Sequence, residues 1–151
     1  MKRREILSAI ETAPGVFHAN SWDQPLEENL IELLIEKANL NPKRKARLCL
    51  HPTPNEIMQV TYIAFGSSYS DKIHKHPYRP EIIIPIYGLA RHSVYDHDGT
   101  ILRSQILNSN NPVASTTGIN SLHNLEVLSE NFVMIEIGMG PFMPTSTIYI
   151  D

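Results

Sequence analysis

From residue 57 onward the chain is cut into short strand-like runs at 57–65, 72–76, 81–88, 90–96, 100–107, 122–128, 132–138 and 147–150. Between them stand turn-forming stretches such as Gly66-Ser67-Ser68, His76-Pro77, Asp98-Gly99, the polar segment 108–118 and the segment 138–144. Many short strands with regular punctuation predict an antiparallel sandwich or barrel. Asp98-Gly99 reads as a two-residue hairpin, because glycine accepts the positive φ of such turns. Pro85 lies inside the most strand-like run and cannot donate to a ladder, so a bulge or an edge is expected there.

One stretch of this β-rich region carries chemistry. In HKHPYRPE, His74 and His76 are two residues apart and leave the same face of a strand. Pro77 and Pro80 bracket a tight connection, after which Glu81 can return a carboxylate toward those rings. Imidazole nitrogens and a carboxylate suit a first-row divalent metal ion, and His123 is a further candidate ligand downstream. Gln59, Tyr62, Tyr78 and Arg79 are candidates for supporting the ligands or contacting a substrate. His18 and His97 fall in expected loops and receive no function; His92 reads as structural.

The N-terminal part is helical by pattern. Ile6, Leu7 and Ile10 have helical spacing over 3–13, ended by Pro14-Gly15; Leu26, Leu30, Leu33, Leu34 and Lys37 mark one face of a second helix over 23–41, with Asp23 as N-cap. Residues 1–45 are therefore expected as a helical segment packed on a barrel formed by 46–151, together one structural domain. The basic cluster Lys43, Arg44, Lys45 and Arg47 lacks stacking aromatics and reads as a solvated linker rather than a nucleic-acid surface. In the strand that follows, Arg47, Cys49 and His51 share one face, and Leu48 and Leu50 the other. Which face looks inward depends on whether the leucines meet the core or a covering helix.

A formal net charge of −3 and a pI near 6.1 give no global attraction to nucleic acid or to an anionic membrane. No apolar stretch approaches the roughly 20 residues of a membrane span, and the basic N-terminus lacks the continuous apolar core of a signal peptide. A single cysteine cannot form an internal disulfide. A cytoplasmic protein without membrane or nucleic-acid partners is expected.

HKHPYRPEIIIPIYG, with His74, His76, Glu81 and Gly88 at their spacings, resembles the first motif of the cupin superfamily, and GINSLH, ending in His123, resembles the second. Gly118 stands where the second motif has Pro, Asn120 where it has Gly, and Val127 where it often has Asn. Seven residues rather than five separate Gly66 from His74. RKARLCLHPTPNEIMQVTYIAFGSSY, VYDHDGTI and NLEVLSENFVMIEIGMGPF further resemble the WbuC-type cupins, bacterial proteins often associated with surface-polysaccharide gene clusters.

The resemblance implies a mainly β fold, a cupin-type jelly-roll β-barrel, preceded here by the helical segment, with His74, His76, Glu81 and His123 as metal ligands on the inner wall. Such a set would hold one divalent transition metal ion (Fe, Mn, Ni, Co, Cu or Zn) with about two open positions. A metal-dependent enzyme acting on a small polar metabolite, with a sugar or sugar-derived acid as the candidate, is the leading expectation. The reaction type, whether isomerase, decarboxylase or dioxygenase, is left open, and no dedicated acid, base or nucleophile stands out. A non-catalytic, metal-dependent binding protein for a small molecule is the alternative. Family habit suggests a homodimer.

Overall fold

The computed structural model describes residues 9–150. Among them the chain forms β1 (Ile10–Ala13), β2 (Val16–His18), α1 (Leu30–Leu40), β3 (Lys45–Cys49), β4 (Met58–Phe65), β5 (His74–Lys75), β6 (Glu81–Tyr87), β7 (Leu89–Tyr95), β8 (Ile101–Asn108), β9 (Ser115–Thr117), β10 (Leu122–Val127), β11 (Phe132–Met139), a 3-10 turn (Pro144–Ser146) and β12 (Ile148–Tyr149). A seven-stranded sheet runs β1-β2-β3-β4-β11-β6-β9, and a five-stranded sheet runs β12-β5-β10-β7-β8. The pairings within both are antiparallel except β2 with β3, which is parallel. The fold is a mainly β jelly roll whose sheets do not close into a continuous ladder.

Strand alternation divides the large sheet between two hydrophobic clusters. Ala46 and Leu48 of β3, Ala64 of β4 and Val133 of β11 pack on its outer face against Leu30, Leu34 and Ala38 of α1. Ile63, Phe65, Ile83, Phe132 and Met134 point inward and meet Ala90, Leu107, Leu125 and Val127 of the small sheet. Successive strand residues point to opposite faces, so placing Leu48 under α1 sends Arg47 and Cys49 into the interior. This decides the ambiguity of β3.

Two helical expectations are corrected. Residues 10–13 are strand, because Pro14 and Gly15 form the turn of a hairpin in which Ala13 faces Val16; Gly15 has φ 75° and its carbonyl accepts from Arg47 N at 2.8 Å. The remainder of the 3–13 reading, residues 3–8, lies outside the described residues. The second helix begins at Leu30 rather than near Asp23, and Asn29 takes the N-cap position. Pro25 disfavours helical geometry in the residue before it, and the Gln24 side chain instead accepts from Asn20 N at 2.8 Å.

At Pro85 the pairing of β6 with β11 shifts register, leaving Ile86 as the extra residue of a bulge, although β6 is an interior strand. The β7–β8 connection is longer than the two-residue reading: Asp96 N donates to Thr100 O at 2.9 Å around His97, Asp98 and Gly99. Gly99 still takes the positive φ, 80°. β9 is a strand inside the stretch read as a break; it pairs with the start of β6.

Candidate metal centre

β5 and β10 are antiparallel with His74 directly opposite His123. His76 follows just past the end of β5, and Glu81 opens β6 in the facing sheet. The coordinating atoms of His74, His76 and His123 all lie within 4.8 Å of one another. Glu81 reaches the same point, with Oε1 3.0 Å from His76 Nε2 and Oε2 3.7 Å from His123 Nε2. His76, Glu81 and His123 are buried and His74 is half-buried.

The three rings are fixed in the same way. His74 Nδ1 donates to Lys72 O at 2.8 Å, His76 Nδ1 to Ser146 O at 2.9 Å, and His123 Nδ1 to Ser121 O at 2.8 Å. A carbonyl only accepts, so each Nδ1 carries the proton and each Nε2 lone pair is free to bind a cation, provided the ring is neutral. The second motif keeps its turn despite the missing glycine. Asn120 takes φ 62°, a region asparagine tolerates better than most residues, and its N–H donates to His76 O at 3.0 Å.

His76 therefore has an acceptor on both sides, Ser146 O and the Glu81 carboxylate. Something positive must lie between Nε2 and that carboxylate, a proton or a metal ion, and the donor set of three imidazoles and one carboxylate fits a transition metal. Burial works against charging His76, but the hydrogen bond and charge of Glu81 outweigh it and raise its pKa. Burial also pushes the Glu81 carboxyl up, yet the adjacent His123 and His76 rings and the charge of Arg79 hold it well below the usual carboxylate range. His74 is lowered by burial and then by His123.

A cavity of about 320 Å³ opens on the inner face of the large sheet; none of the four candidate ligands lines it, and Arg79 stands between it and this centre. Arg79 forms the boundary: Nη2 donates to Glu81 Oε1 at 3.1 Å, Nη1 to Gln59 Oε1 at 3.3 Å, and the guanidinium lies 5.6 Å from the centre of the Phe142 ring. Its Nε is buried without a hydrogen-bond partner. Gln59 is fixed from the other side, its Nε2 donating to Pro54 O at 2.9 Å. Arg47 and Glu136 also line the wall. Burial, then the charge of Glu81, raises the Glu136 carboxyl.

The remaining candidates are placed as follows. Tyr62 lies on the opposite face of β4, packed beside the α1 cluster, and Tyr78 is 72% exposed. Neither lines the cavity, whereas Gln59 and Arg79 do. His92 is buried, with Nδ1 2.7 Å from Ser115 Oγ and Nε2 3.4 Å from Thr117 Oγ1, an arrangement of a satisfied core histidine. His18, expected in a loop, instead ends β2 and lines the cavity with Cys49 and His51. Nothing local in the sequence signals this, since strand pairing alone sets His18 opposite Cys49.

A family model described as a domain of unknown function, DUF6016, matches residues 26–107, more than half of the chain. The chain belongs to that family. The match spans α1, the first histidine motif and the β7–β8 hairpin, so the DUF6016 region includes His74, His76 and Glu81 but stops before His123. No curated protein matches the sequence.

Among solved structures, the capsular polysaccharide assembling protein CapF from Staphylococcus aureus is similar at 16% identity and TM-score 0.64, over 75% of this chain and 33% of CapF. KdgF from Halomonas sp. is similar at 14% identity and TM-score 0.55, over 69% of this chain and 85% of KdgF. Oxalate decarboxylase from Lactobacillus farciminis is similar at 16% identity and TM-score 0.53, over 63% of this chain and 27% of that enzyme. The chain thus spans about a third of CapF and about a quarter of the decarboxylase. These likenesses give the fold, which is that of the cupins. No helix among the described residues is long and apolar enough to cross a membrane.

Proposed function

We propose that the protein is a metal-dependent cupin enzyme of the WbuC type, with His74, His76, Glu81 and His123 holding one divalent transition metal ion and the adjoining cavity receiving a small anionic metabolite. The observation that carries this reading is the common tethering of the three Nδ1 atoms to backbone carbonyls, which leaves three clustered Nε2 atoms for a metal, those of His76 and His123 facing the Glu81 carboxylate. Manganese is a precedent on this fold, since Bacillus subtilis oxalate decarboxylase is described with Mn(II) centres. The donor set accepts several other divalent ions.

The metal, when bound, would supply a Lewis acid able to polarise a substrate oxygen. The chain's own residues select and position what enters. Arg79 and Arg47 give the cavity two guanidinium groups, and Arg is suited to gripping a carboxylate through paired N–H donors. Arg79 also anchors Glu81, so substrate grip and ligand orientation meet in one side chain. Phe142 closes part of the wall with an apolar ring. A sugar-derived acid matches this mixture of charge and small volume, and the description of CapF as a capsular polysaccharide assembling protein agrees with that choice by fold analogy alone.

The test is turnover of a panel of sugar acids and short hydroxy acids by protein loaded with Mn(II), Fe(II), Ni(II) or Zn(II), beside His76→Ala. Metal-dependent product formation, lost in the variant, supports the reading. Saturable association without product under every metal would make the protein a binding module instead.

A further inference from the structure

We propose a second metal site, distinct from the centre above, formed by His18, Cys49 and His51 at the far wall of the same cavity and suited to a thiophilic divalent ion such as zinc. The ring nitrogens of His18 and His51 and the Cys49 sulfur all lie within 4.8 Å of one another. Zinc–ligand bonds are about 2.0–2.3 Å long, so one ion fits among three such atoms after small side-chain adjustments.

The fold builds this cluster from two directions. Parallel pairing of β2 with β3 sets His18 opposite Cys49, and His51 follows two residues beyond Cys49 on the same side of the chain. Cys49 and His51 are buried, at 7% and 4% exposure, and all three line the cavity. The two rings meet edge to face, with centroids 5.7 Å apart.

The hydrogen bonding suits ligation. His18 Nδ1 donates to His51 O at 3.2 Å, which leaves its Nε2 lone pair free. Val60 N–H donates to His51 Nδ1 at 3.1 Å, and the same Nδ1 lies 3.2 Å from Val60 O. Ligation through Nε2 takes the tautomer in which Nδ1 donates to that carbonyl, so metal binding exchanges the Val60 N–H bond for the Val60 O bond. Thr61 Oγ1 donates to Cys49 Sγ at 3.9 Å and supports the thiolate. On binding, the Cys49 S–H bond breaks, the proton leaves to solvent and sulfur binds the ion.

Two imidazoles and one thiolate form a softer donor set than three imidazoles and one carboxylate, so the two sites should sort different metals. Three protein ligands also leave a position open toward the cavity, where an anion held by Arg47 could complete the coordination.

Cobalt(II) reports on the site directly, because sulfur-to-cobalt charge transfer in the near ultraviolet requires a thiolate ligand and the chain has one cysteine. The full chain, stripped with a chelator, is titrated with Co(II). The expected result is a thiolate band that is absent in Cys49→Ser, weakened in His18→Ala and His51→Ala by more than the roughly 10–100-fold affinity loss typical of an outer-shell change, and retained in His74→Ala. Absence of the band in the parent, or a band indifferent to both His18→Ala and His51→Ala, would overturn the proposal. Retention in His74→Ala separates this site from the N/O centre, so either can fail alone. His18 is half-buried, so its replacement keeps the test open should Cys49→Ser not fold.

Discussion

Replacing Leu34 with Ala tests the division of β3 into an outer face under α1 and an inner face on the cavity. Leu34 is 0% exposed and sits in the cluster with Ala46, Leu48, Ala64 and Val133. A buried Leu→Ala change typically costs 2–5 kcal/mol, combining lost transfer energy with the cavity left behind. Small partners such as Ala46 and Ala64 cannot extend into the gap, which argues for about 3 kcal/mol. At roughly 2–4 °C per kcal/mol for a chain of this length, the melting temperature should fall by about 6–12 °C. Leu40 on the same helix is 74% exposed, and Leu40→Ala should stay within about 0.5 kcal/mol. Urea unfolding gives the free energies, and metal content should be unchanged in both variants because α1 packs on the outer face. A loss below about 1 kcal/mol for Leu34→Ala, or a loss of metal without a loss of stability, would refute the two-face account.

Chelation should destabilise the protein, since a metal that binds only the folded state adds roughly 2.7 kcal/mol at a hundredfold excess over its dissociation constant; calorimetry with and without chelator checks this. Asn131 ties α1 to the sheet, its Nδ2 donating to Asn39 Oδ1 at 2.8 Å and to Phe65 O at 3.1 Å, so Asn131→Ala should cost about 1–3 kcal/mol in urea unfolding through the loss of these two bonds. Burial, then the charge of Arg47, brings the Lys45 pKa down to about 8. Between that value and the ordinary lysine value the unfolded chain holds the extra proton, so the Lys45 contribution to stability rises with pH, by up to about 1.4 kcal/mol per unit. Its ammonium lies over the Phe65 and Tyr69 rings, which offsets part of the burial cost. The stability gap between Lys45→Met and the parent should therefore narrow from pH 7.5 to pH 9.5, and an unchanged gap would count against the burial of this ammonium.

The candidate cluster of His74, His76 and Glu81 is legible in the sequence because its geometry is local. His74 and His76 share a strand face, and the two prolines and the start of β6 return Glu81 within a few residues. His123 lies far along the chain and was tied to the cluster by motif likeness, and the departure from that motif at Asn120 is accommodated because Asn120 adopts the left-handed backbone itself. β3 was undecidable from its own residues, because both faces are plausible until α1 is placed on one of them. The hairpin of β1 and β2 was hidden because Ile6, Leu7 and Ile10 fit helical spacing, while the pairing that holds residues 10–13 lies in β2. The same non-local pairing hid His18. No window of sequence contains it together with Cys49 and His51, and only the parallel β2–β3 ladder brings them together.

The most direct test of the account is element-resolved metal analysis of untagged protein purified without added metal, carrying Cys49→Ser so that only the N/O centre can fill, with and without His123→Ala. The account predicts about one equivalent of a divalent transition metal in the first protein, lost in the second while the far-ultraviolet β signal persists. No metal in either after reloading, or equal metal in both, would contradict the centre formed by His74, His76, Glu81 and His123.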